Sequence, residues 1–315
     1  MKKLLTFLFV FLVLSSTAQS KIDSVAIDTI KPVQTKTVFS DKDLSLIDSL
    51  VLESQYRSPL SENITYVLKG LEAKKKPEDK IPTNLLKQRL QHLDNTTPFF
   101  LEYNPILENV INSYLKYRKK YYPRLMAKAA YYFPMFEKYL DQYDIPLEMK
   151  YLAIVESTLN PKARSRVGAR GLWQFMYLTG KQYKLNVSSY VDERQDPIKA
   201  TVAACKYLSD LYKIFGDWDL ALAAYNSGPG NVAKAIKRSG GYQNYWNLRQ
   251  YLPRETAGYV PAFYATMYLF KYAKEHGLVA DSPKIYHFAT DTIQVKRTVS
   301  FDQITETTGI DHEML

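Results

Sequence analysis

The chain has 315 residues, a formal net charge of +10 and a single cysteine. One cysteine excludes an internal disulfide, so burial must stabilise the fold, which a hydrophobic content of 46% allows. The excess of lysine and arginine either favours a polyanionic partner or serves only solubility. Nucleic acid is not the expected partner, because the sequence contains no helix-turn-helix, RNP-type or zinc-finger pattern.

The first eighteen residues have the pattern of a secretory signal peptide. Two lysines precede an apolar run from Leu4 to Leu14, and small residues follow up to Ala18. The run is shorter than a bilayer span, which needs about 20 apolar residues, so we expect cleavage near Ala18 and export to the periplasm. A lipoprotein would need a cysteine directly after the signal, and the only cysteine is Cys205. We expect no lipid anchor of that kind, and a peripheral position at the outer membrane remains open.

The rest of the chain divides into three parts. Residues 19–100 are rich in polar residues, which predicts an N-terminal helical or irregular extension with linkers. Residues 101–280 show helical spacing between prolines, which predicts a mainly α domain. Residues 285–315 form a predicted β-α segment with a strand over 292–299, a short helix over 301–308 and the cap of a further helix at Asp311.

Pro146 is placed to open a helix, since the first helical position needs no backbone N–H. In that helix Met149, Leu152 and Glu156 share a face, so Glu156 ends an apolar stripe. Burial disfavours the charged form of a carboxyl group and raises its pKa. A glutamic acid that keeps its proton near neutral pH can donate it to a glycosidic oxygen. A lone glutamate near a helix end is, however, more often an exposed surface residue.

Two further helix starts are predicted. Asp196-Pro197 combines a cap with a proline, and the apolar stripe of the helix it opens comprises Ile198, Val202, Cys205, Leu208, Tyr212 and Phe215. Gly228-Pro229-Gly230 is interpreted as a turn, after which Asn231 caps a short helix that ends at Gly240-Gly241.

Three clusters of polar and aromatic residues are separated in sequence as the parts of an assembled cleft would be. They cover residues 156–176, 223–231 and 252–261. Trp173 and Phe175 are interpreted as core residues, since large apolar side chains usually pack. Gln174 lies between them and alternates away from that core, which makes it a candidate for the cleft.

Glu-Ser, Gly-Leu-Trp-Gln-Phe-Met, Ala-Tyr-Asn and Glu-Thr-x-x-Tyr occur here in one order. Together they resemble the lysozyme-like domain of family 1 lytic transglycosylases, most closely the membrane-bound type D of Bacteroidetes, from Leu101 to Gly277. The resemblance implies a lysozyme-like helical fold in which Glu156 is the catalytic acid and base. It also implies a substrate cleft lined by Ser165, Gln174, Met176, Tyr225, Asn226, Glu255 and Tyr259. Ser227 departs from the family, which often has alanine or cysteine there.

The resemblance further implies peptidoglycan glycan strands as the substrate. Glu156 would protonate the bond between N-acetylmuramic acid and N-acetylglucosamine and then take the proton of the muramic 6-hydroxyl. That hydroxyl attacks its own anomeric carbon and leaves a 1,6-anhydro end. No second carboxylate is implied as a nucleophile, although the acids considered for such a role are Asp192, Glu193, Asp196, Asp217 and Asp219. No metal or cofactor is expected, because the four histidines lack ligand spacing.

Two other functions stay open at this point. A muramidase of goose-type lysozyme character would share the fold and use water in place of the 6-hydroxyl. A wall-binding scaffold would keep the fold without catalysis. The C-terminal residues 285–315 resemble the first part of a LysM glycan-binding module, which would add a second contact with the wall.

Overall fold

The protein is described by a computed structural model over residues 80–282 and 297–310. Its α-helices there are α1 (Thr83–Thr96), α2 (Pro105–Tyr117), α3 (Tyr122–Gln142), α4 (Leu152–Ser157), α5 (Tyr177–Gln182), α6 (Pro197–Phe215), α7 (Trp218–Ser227), α8 (Pro229–Arg238), α9 (Tyr245–Leu248), α10 (Thr256–Lys271) and α11 (Phe301–Thr308). Short 3-10 helices cover Lys119–Tyr121, Leu147–Tyr151, Glu193–Gln195, Arg249–Tyr251 and Lys274–His276.

The mainly α class predicted from the sequence is confirmed. In the described ranges, β-structure is limited to isolated antiparallel bridges between Arg164 and Arg170, Arg170 and Phe175, and Val187 and Asp192. No helix among these residues has both the length and the apolar character that a bilayer crossing requires.

Several predicted segments lie outside the described residues. These are the signal peptide, the extension up to residue 79, residues 292–296 of the predicted strand and the cap at Asp311. The helix predicted over 301–308 is confirmed as α11. It begins with a capping box, in which Ser300 and Gln303 each accept the backbone N–H of the other.

Helix α1 packs into the same core as the later helices. Leu86, Leu90 and Leu93 recur at helical spacing and are buried. They belong to one hydrophobic cluster with residues of α2, α4 and α10. The chain from residue 83 onward, which the sequence assigned to the extension, therefore contributes to the core that surrounds α10.

Helix α10 is the centre of the core. Every residue from Thr256 to Leu269 is buried, which is the pattern of a helix without a solvent-exposed face. It packs against α2, α4 and α7. Pro261 lies inside α10 and lacks the N–H that would bond the carbonyl of Ala257. Arg249 Nε donates to that carbonyl instead, at 2.7 Å, so the proline leaves no buried acceptor unsatisfied.

The start of α6 is confirmed, and its predicted apolar stripe is correct only in part, since Cys205 and Leu208 are fully buried. Asp196 caps the helix by accepting the N–H groups of Ile198 and Lys199, both at 2.9 Å. Ile198 and Tyr212 are 43% and 38% exposed, whereas Ala200 and Ala204 are fully buried. The buried face of α6 therefore lies beside the predicted stripe and combines small residues with large ones such as Leu208.

The segment Gly228-Pro229-Gly230 was predicted to be a turn. In the structure it is the junction of two helices. Gly228 has φ +83° and ends α7, and Pro229 is the first residue of α8, a position that needs no N–H. Asn231 therefore lies within α8 and does not cap it, and its Nδ2 donates to the carbonyl of Ser227 at 2.9 Å. The helix predicted to open at Pro146 begins as a 3-10 helix over Leu147–Tyr151 and continues as α4.

The loop between α4 and α5 is held by its own backbone and by one buried cation. Gly171 N donates to the carbonyl of Ala163 at 3.0 Å. The Arg194 side chain donates to the carbonyls of Gly168 at 3.0 Å and Phe175 at 3.2 Å. Arg194 is 5% exposed, and its charge is balanced by Asp192 at 2.8 Å. A buried arginine with these partners fixes the loop geometry.

Gly171→Ala should destabilise the protein more than Gly168→Ala. Both glycines have positive φ, 82° and 96°, so backbone strain of about 1–2 kcal/mol is common to both variants. A Cβ at Gly171 would lie 1.8 Å from the carbonyl oxygen of Arg194, whereas a Cβ at Gly168 would meet no atom within 4 Å. We expect Gly171→Ala to lose about 1–3 kcal/mol more in urea unfolding. Equal unfolding midpoints for the two variants would contradict this packing.

Candidate active site

Glu156 is the acidic residue of the short buried helix α4 and lies one position before its end. All residues of α4, Leu152–Ser157, are buried, and Glu156 itself is 4% exposed. The helix ends because Thr158 and Leu159 both adopt positive φ, 53° and 55°. Lys128 Nζ donates to the carbonyl of Thr158 at 3.0 Å and supports this turn. The predicted burial of the Glu156 carboxyl group at the end of an apolar stripe is therefore observed.

The Glu156 carboxyl group favours its protonated form. The pKa of this group is raised from 4.5 to about 8, and burial is the largest cause of the rise. The hydroxyl of Tyr259 donates a hydrogen bond to Glu156 Oε1, which lowers the pKa because it stabilises the charged form. The nearby Glu255 carboxylate acts in the opposite direction and raises it. The net result is a carboxylic acid that holds its proton at neutral pH.

Two tyrosines from different helices flank this acid. Tyr259 projects from α10 and Tyr225 from α7. Burial raises the pKa of Tyr225 well above its ordinary value, and the nearby Glu156 carboxyl group raises it further. The Tyr225 hydroxyl donates to the carbonyl of Trp173 at 2.8 Å. Tyr225 therefore links the surroundings of Glu156 to the loop between α4 and α5.

Two hydrogen bonds of the Asn226 amide join the N-terminal end of α10 to the C-terminal end of α7. Asn226 Nδ2 donates to Glu255 Oε1 at 3.2 Å. The hydroxyl of Thr256 donates to Asn226 Oδ1 at 2.8 Å, which fixes the orientation of the amide. Thr256 was not a predicted site residue, although its place in the Glu-Thr-x-x-Tyr element is the signal that could have found it.

The remaining predicted residues lie in the loop that Tyr225 contacts. Ser165 is 4% exposed, and its Oγ accepts the N–H of Ala169 at 2.9 Å. Gln174 has φ +48°, and its Nε2 donates to the carbonyl of Gly171 at 2.8 Å. Gln174 Oε1 is buried and has no hydrogen-bond partner among the described residues. Met176 is half-buried and precedes α5.

The structure thus brings five predicted residues into one cluster and leaves three in the adjacent loop. The cluster, called the Glu156 cluster below, consists of Glu156, Tyr225, Asn226, Glu255 and Tyr259. In the loop, Ser165 and Gln174 are engaged with backbone groups of the loop itself. Trp173 and Phe175 are 0% and 2% exposed, which confirms their assignment to the core.

The other acids considered from the sequence have structural roles. Asp196 caps α6, as predicted, and Asp217 caps α7. Asp192 forms ion pairs with Arg194 and Arg170, and the Arg194 hydrogen bond holds its pKa below the ordinary value. Arg194 was not singled out from the sequence, because an arginine in a polar loop gives no sign that it is buried.

Asp219 is a second buried acid in the core. It is 5% exposed, burial raises its pKa to about 8, and the hydroxyl of Tyr264 donates to it. Tyr264 follows Tyr259 on α10 by five positions, which places the two hydroxyls about 140° apart around the helix. Asp219 therefore faces a different side of α10 from Glu156. No group of histidine, cysteine and acidic side chains among the described residues has the geometry of a metal site.

With this geometry in view, the chain can be compared with known proteins. Residues 134–247 match the family model of the transglycosylase SLT domain. Over these residues the chain is similar to the SLT domain. The match lies within the region whose motifs resemble a lytic transglycosylase domain, and it includes Glu156, Ser165, Gln174, Met176, Tyr225 and Asn226. Glu255 and Tyr259 lie beyond its end, at the N-cap of α10 and within α10.

Relatives with this domain are longer than the matched region. The chain is 37% identical over 164 residues to membrane-bound lytic murein transglycosylase D of Escherichia coli strain K12, covering 51% of this chain and 36% of the relative. It is 33% identical over 136 residues to soluble lytic murein transglycosylase of the same organism, covering 41% and 21%. The chain thus spans about a third or less of the length of these relatives.

Among solved structures, the chain has a match to the 70 kDa soluble lytic transglycosylase of Escherichia coli. It is 20% identical, with a TM-score of 0.41, and the match covers 78% of this chain and 46% of that one. The Bacteroidetes type and the LysM-like segment remain predictions from the sequence.

Replacing Glu156 by glutamine should change how stability depends on pH. A pKa raised from 4.5 to about 8 means that the folded protein holds a proton that the unfolded chain has released between these two pH values. Wild-type stability therefore falls through this window by about 1.4 kcal/mol per pH unit. Glu156→Gln keeps the acceptor for Tyr259 and removes the titration.

We expect the stability of Glu156→Gln relative to wild type to rise from pH 4.5 to about 8 and then to level off. Urea unfolding across this range measures the difference. A constant difference at all pH values would show that Glu156 titrates normally, and the assignment of a buried acid would then be wrong.

Proposed function

We propose that this chain is a peptidoglycan lytic transglycosylase, a lyase that cleaves the bond between N-acetylmuramic acid and N-acetylglucosamine without water. The observation that carries the proposal is the buried Glu156 carboxyl group, whose pKa of about 8 keeps it protonated at neutral pH. The SLT match and the names of the relatives support the substrate class.

In the first step Glu156 acts as a general acid. Its proton passes to the glycosidic oxygen while the bond from that oxygen to the anomeric carbon of N-acetylmuramic acid breaks. N-Acetylglucosamine leaves with a free 4-hydroxyl. The carboxylate that forms is stabilised by the hydroxyl of Tyr259, which already donates to Glu156 Oε1.

In the second step the same carboxylate acts as a general base. It removes the proton of the muramic 6-hydroxyl, whose oxygen bonds to the anomeric carbon and closes the 1,6-anhydro ring. Glu156 recovers its proton, so one residue is regenerated in one turnover. A pKa near the working pH suits a group that must first donate and then accept a proton.

The remaining predicted residues are proposed to bind the sugars. Asn226 is oriented by Thr256 and lies against Glu255, so this pair offers an amide and a carboxylate beside the acid. Tyr225, Ser165, Gln174 and Met176 belong to the loop side of the same site. The buried Gln174 Oε1, which has no partner among the described residues, is a ready acceptor for a sugar hydroxyl or amide.

The proposal extends to where the enzyme acts. We infer an exported enzyme of the cell envelope that acts in wall remodelling or turnover and is placed in the periplasm by its signal sequence. Neither a metal nor a cofactor has a part in this mechanism, and its expected partners are glycan strands.

Digestion of purified sacculi tests the reaction. Wild type should release muropeptides with 1,6-anhydro ends, and Glu156→Gln should release at least about a hundredfold less. Asp219→Asn is a matched control, because it also converts a buried acid of raised pKa to an amide, outside the Glu156 cluster. Its products should keep the 1,6-anhydro ends.

Mass spectrometry of the released ends separates the alternatives. Reducing ends in place of 1,6-anhydro ends would show that the bond is hydrolysed, and the enzyme would then be a goose-type muramidase rather than a transglycosylase. Binding of sacculi without release, unchanged by Glu156→Gln, would indicate a wall-binding scaffold.

Tyr259→Phe tests the hydrogen bond to the acid. The Tyr259 hydroxyl lowers the pKa of Glu156, so its removal should raise that pKa and move the alkaline loss of activity to higher pH. Initial rates across neutral and alkaline pH measure the shift. Tyr264→Phe on the same helix removes the hydroxyl that contacts Asp219 and should leave the profile in place. Identical profiles for the two variants would contradict the role of Tyr259.

A further inference from the structure

A basic groove lies apart from the Glu156 cluster. It has a volume of 880 Å³ and is formed by α1, the end of α2 and the 3-10 helices over Lys119–Tyr121 and Lys274–His276. No member of the Glu156 cluster lines it. Arg89 in the groove contacts Tyr268, which lies about 14 Å along α10 from Tyr259 at about 1.5 Å per residue. The two sites are thus at different ends of the central helix.

The groove concentrates positive charge. One acidic residue, Glu275, lines it together with the cationic side chains of Lys80, Arg89, Lys116, Lys119 and Lys120. The effect of this charge is visible on His276, whose pKa is lowered by burial and then by Arg89 and Lys119. Positive charges clustered on one face repel one another, and they attract anions to that face.

One of these cations is held in position before any ligand binds. Arg89 Nη1 donates to the Tyr268 hydroxyl at 2.9 Å and lies 3.1 Å from His276 Nε2. Because a guanidinium group has only donors, His276 Nε2 accepts and must be unprotonated. The guanidinium also lies 4.8 Å from the centre of the Tyr272 ring. Arg89 therefore forms a rigid floor, while the lysines are exposed at the rim.

Apolar side chains are exposed among the rim lysines. Leu85 is 38% exposed and Tyr117 is 53% exposed, and both line the groove. Tyr121 follows Lys119 and Lys120 directly and is 57% exposed. A soluble polyanion would need the cations alone. Exposed tyrosines and a leucine between lysines match the interface of a membrane, where rings lie at headgroup level and lysine stems extend toward phosphates.

We propose that this groove binds the phosphate headgroups of anionic phospholipids and holds the enzyme at a membrane surface. The lysines supply the attraction to the charged surface, Arg89 binds a phosphate oxygen at the floor, and Tyr117, Tyr121 and Leu85 enter the interface. The surface does not depend on the chemistry at Glu156, so the proposal stands apart from the transglycosylase activity.

Flotation of the full-length mature protein with vesicles tests the proposal. The vesicles contain equal parts of phosphatidylglycerol and phosphatidylcholine, or phosphatidylcholine alone. We expect binding to the first kind only, and Glu156→Gln should bind as wild type does. The variant with Lys116→Glu, Lys119→Glu and Lys120→Glu should bind at least about tenfold more weakly.

A matched variant controls for total charge. Lys181→Glu, Lys184→Glu and Lys206→Glu change three exposed lysines that do not line the groove. This variant has the same net charge as the groove variant and should bind nearly as wild type does. Circular dichroism of both variants checks folding, which exposed lysine replacements should leave intact.

A second arm separates a membrane from free phosphate. Tyr117→Ser with Tyr121→Ser keeps every cation and should also weaken vesicle binding, whereas inorganic phosphate at constant ionic strength should not release the wild type. Equal loss in the two charge variants, or no binding of wild type to anionic vesicles, would overturn the proposal. Release by inorganic phosphate with no effect of the tyrosine changes would assign the groove to a soluble phosphate ligand.

Discussion

The hydrogen bond between Tyr259 and the buried Glu156 carboxyl group is the interaction on which the site depends. Burial favours the neutral form of the acid and is the largest cause of its raised pKa. The hydroxyl gives the carboxylate one partner and brings the pKa to about 8, where both forms are accessible. In the proposed reaction Glu156 donates and then accepts a proton, so either extreme would stop one half of the cycle.

Helix α10 provides that balance because it is buried on all sides. Its side chains cannot move toward solvent, so the hydroxyl of Tyr259 is held against α4. Five positions later, Tyr264 provides a similar hydrogen bond to Asp219. The two acids share burial, a tyrosine donor and a pKa of about 8, yet they face different sides of the helix. What distinguishes them is the neighbourhood, since Asn226 and Glu255 accompany Glu156 alone.

The loop between α4 and α5 shows how a site can be kept rigid without regular structure. Arg194 bonds backbone carbonyls on both arms of the loop, and Gly171 permits the close approach of the Arg194 carbonyl. Gln174 adopts a positive φ within this frame, a conformation that costs free energy and persists only when the surroundings impose it. The rigid loop and the rigid helix α10 together fix the two sides of the Glu156 cluster.

The sequence by itself determined the helical class, the cap at Asp196 and the helix over 301–308, because caps, prolines and apolar spacing act locally. The choice of Glu156 came from the resemblance of several motifs together and stays a prediction. It misplaced the two ends of the buried stripe of α6, at Ile198 and Tyr212, since which side of a helix is buried depends on its neighbours. It also misplaced the start of α8. Only the tertiary structure decided that Tyr259 donates to Glu156, that Thr256 orients Asn226 and that Arg194 is buried. These contacts join residues that are 103 and 30 positions apart in the first two cases, and desolvation is a property of the assembled core rather than of any local pattern.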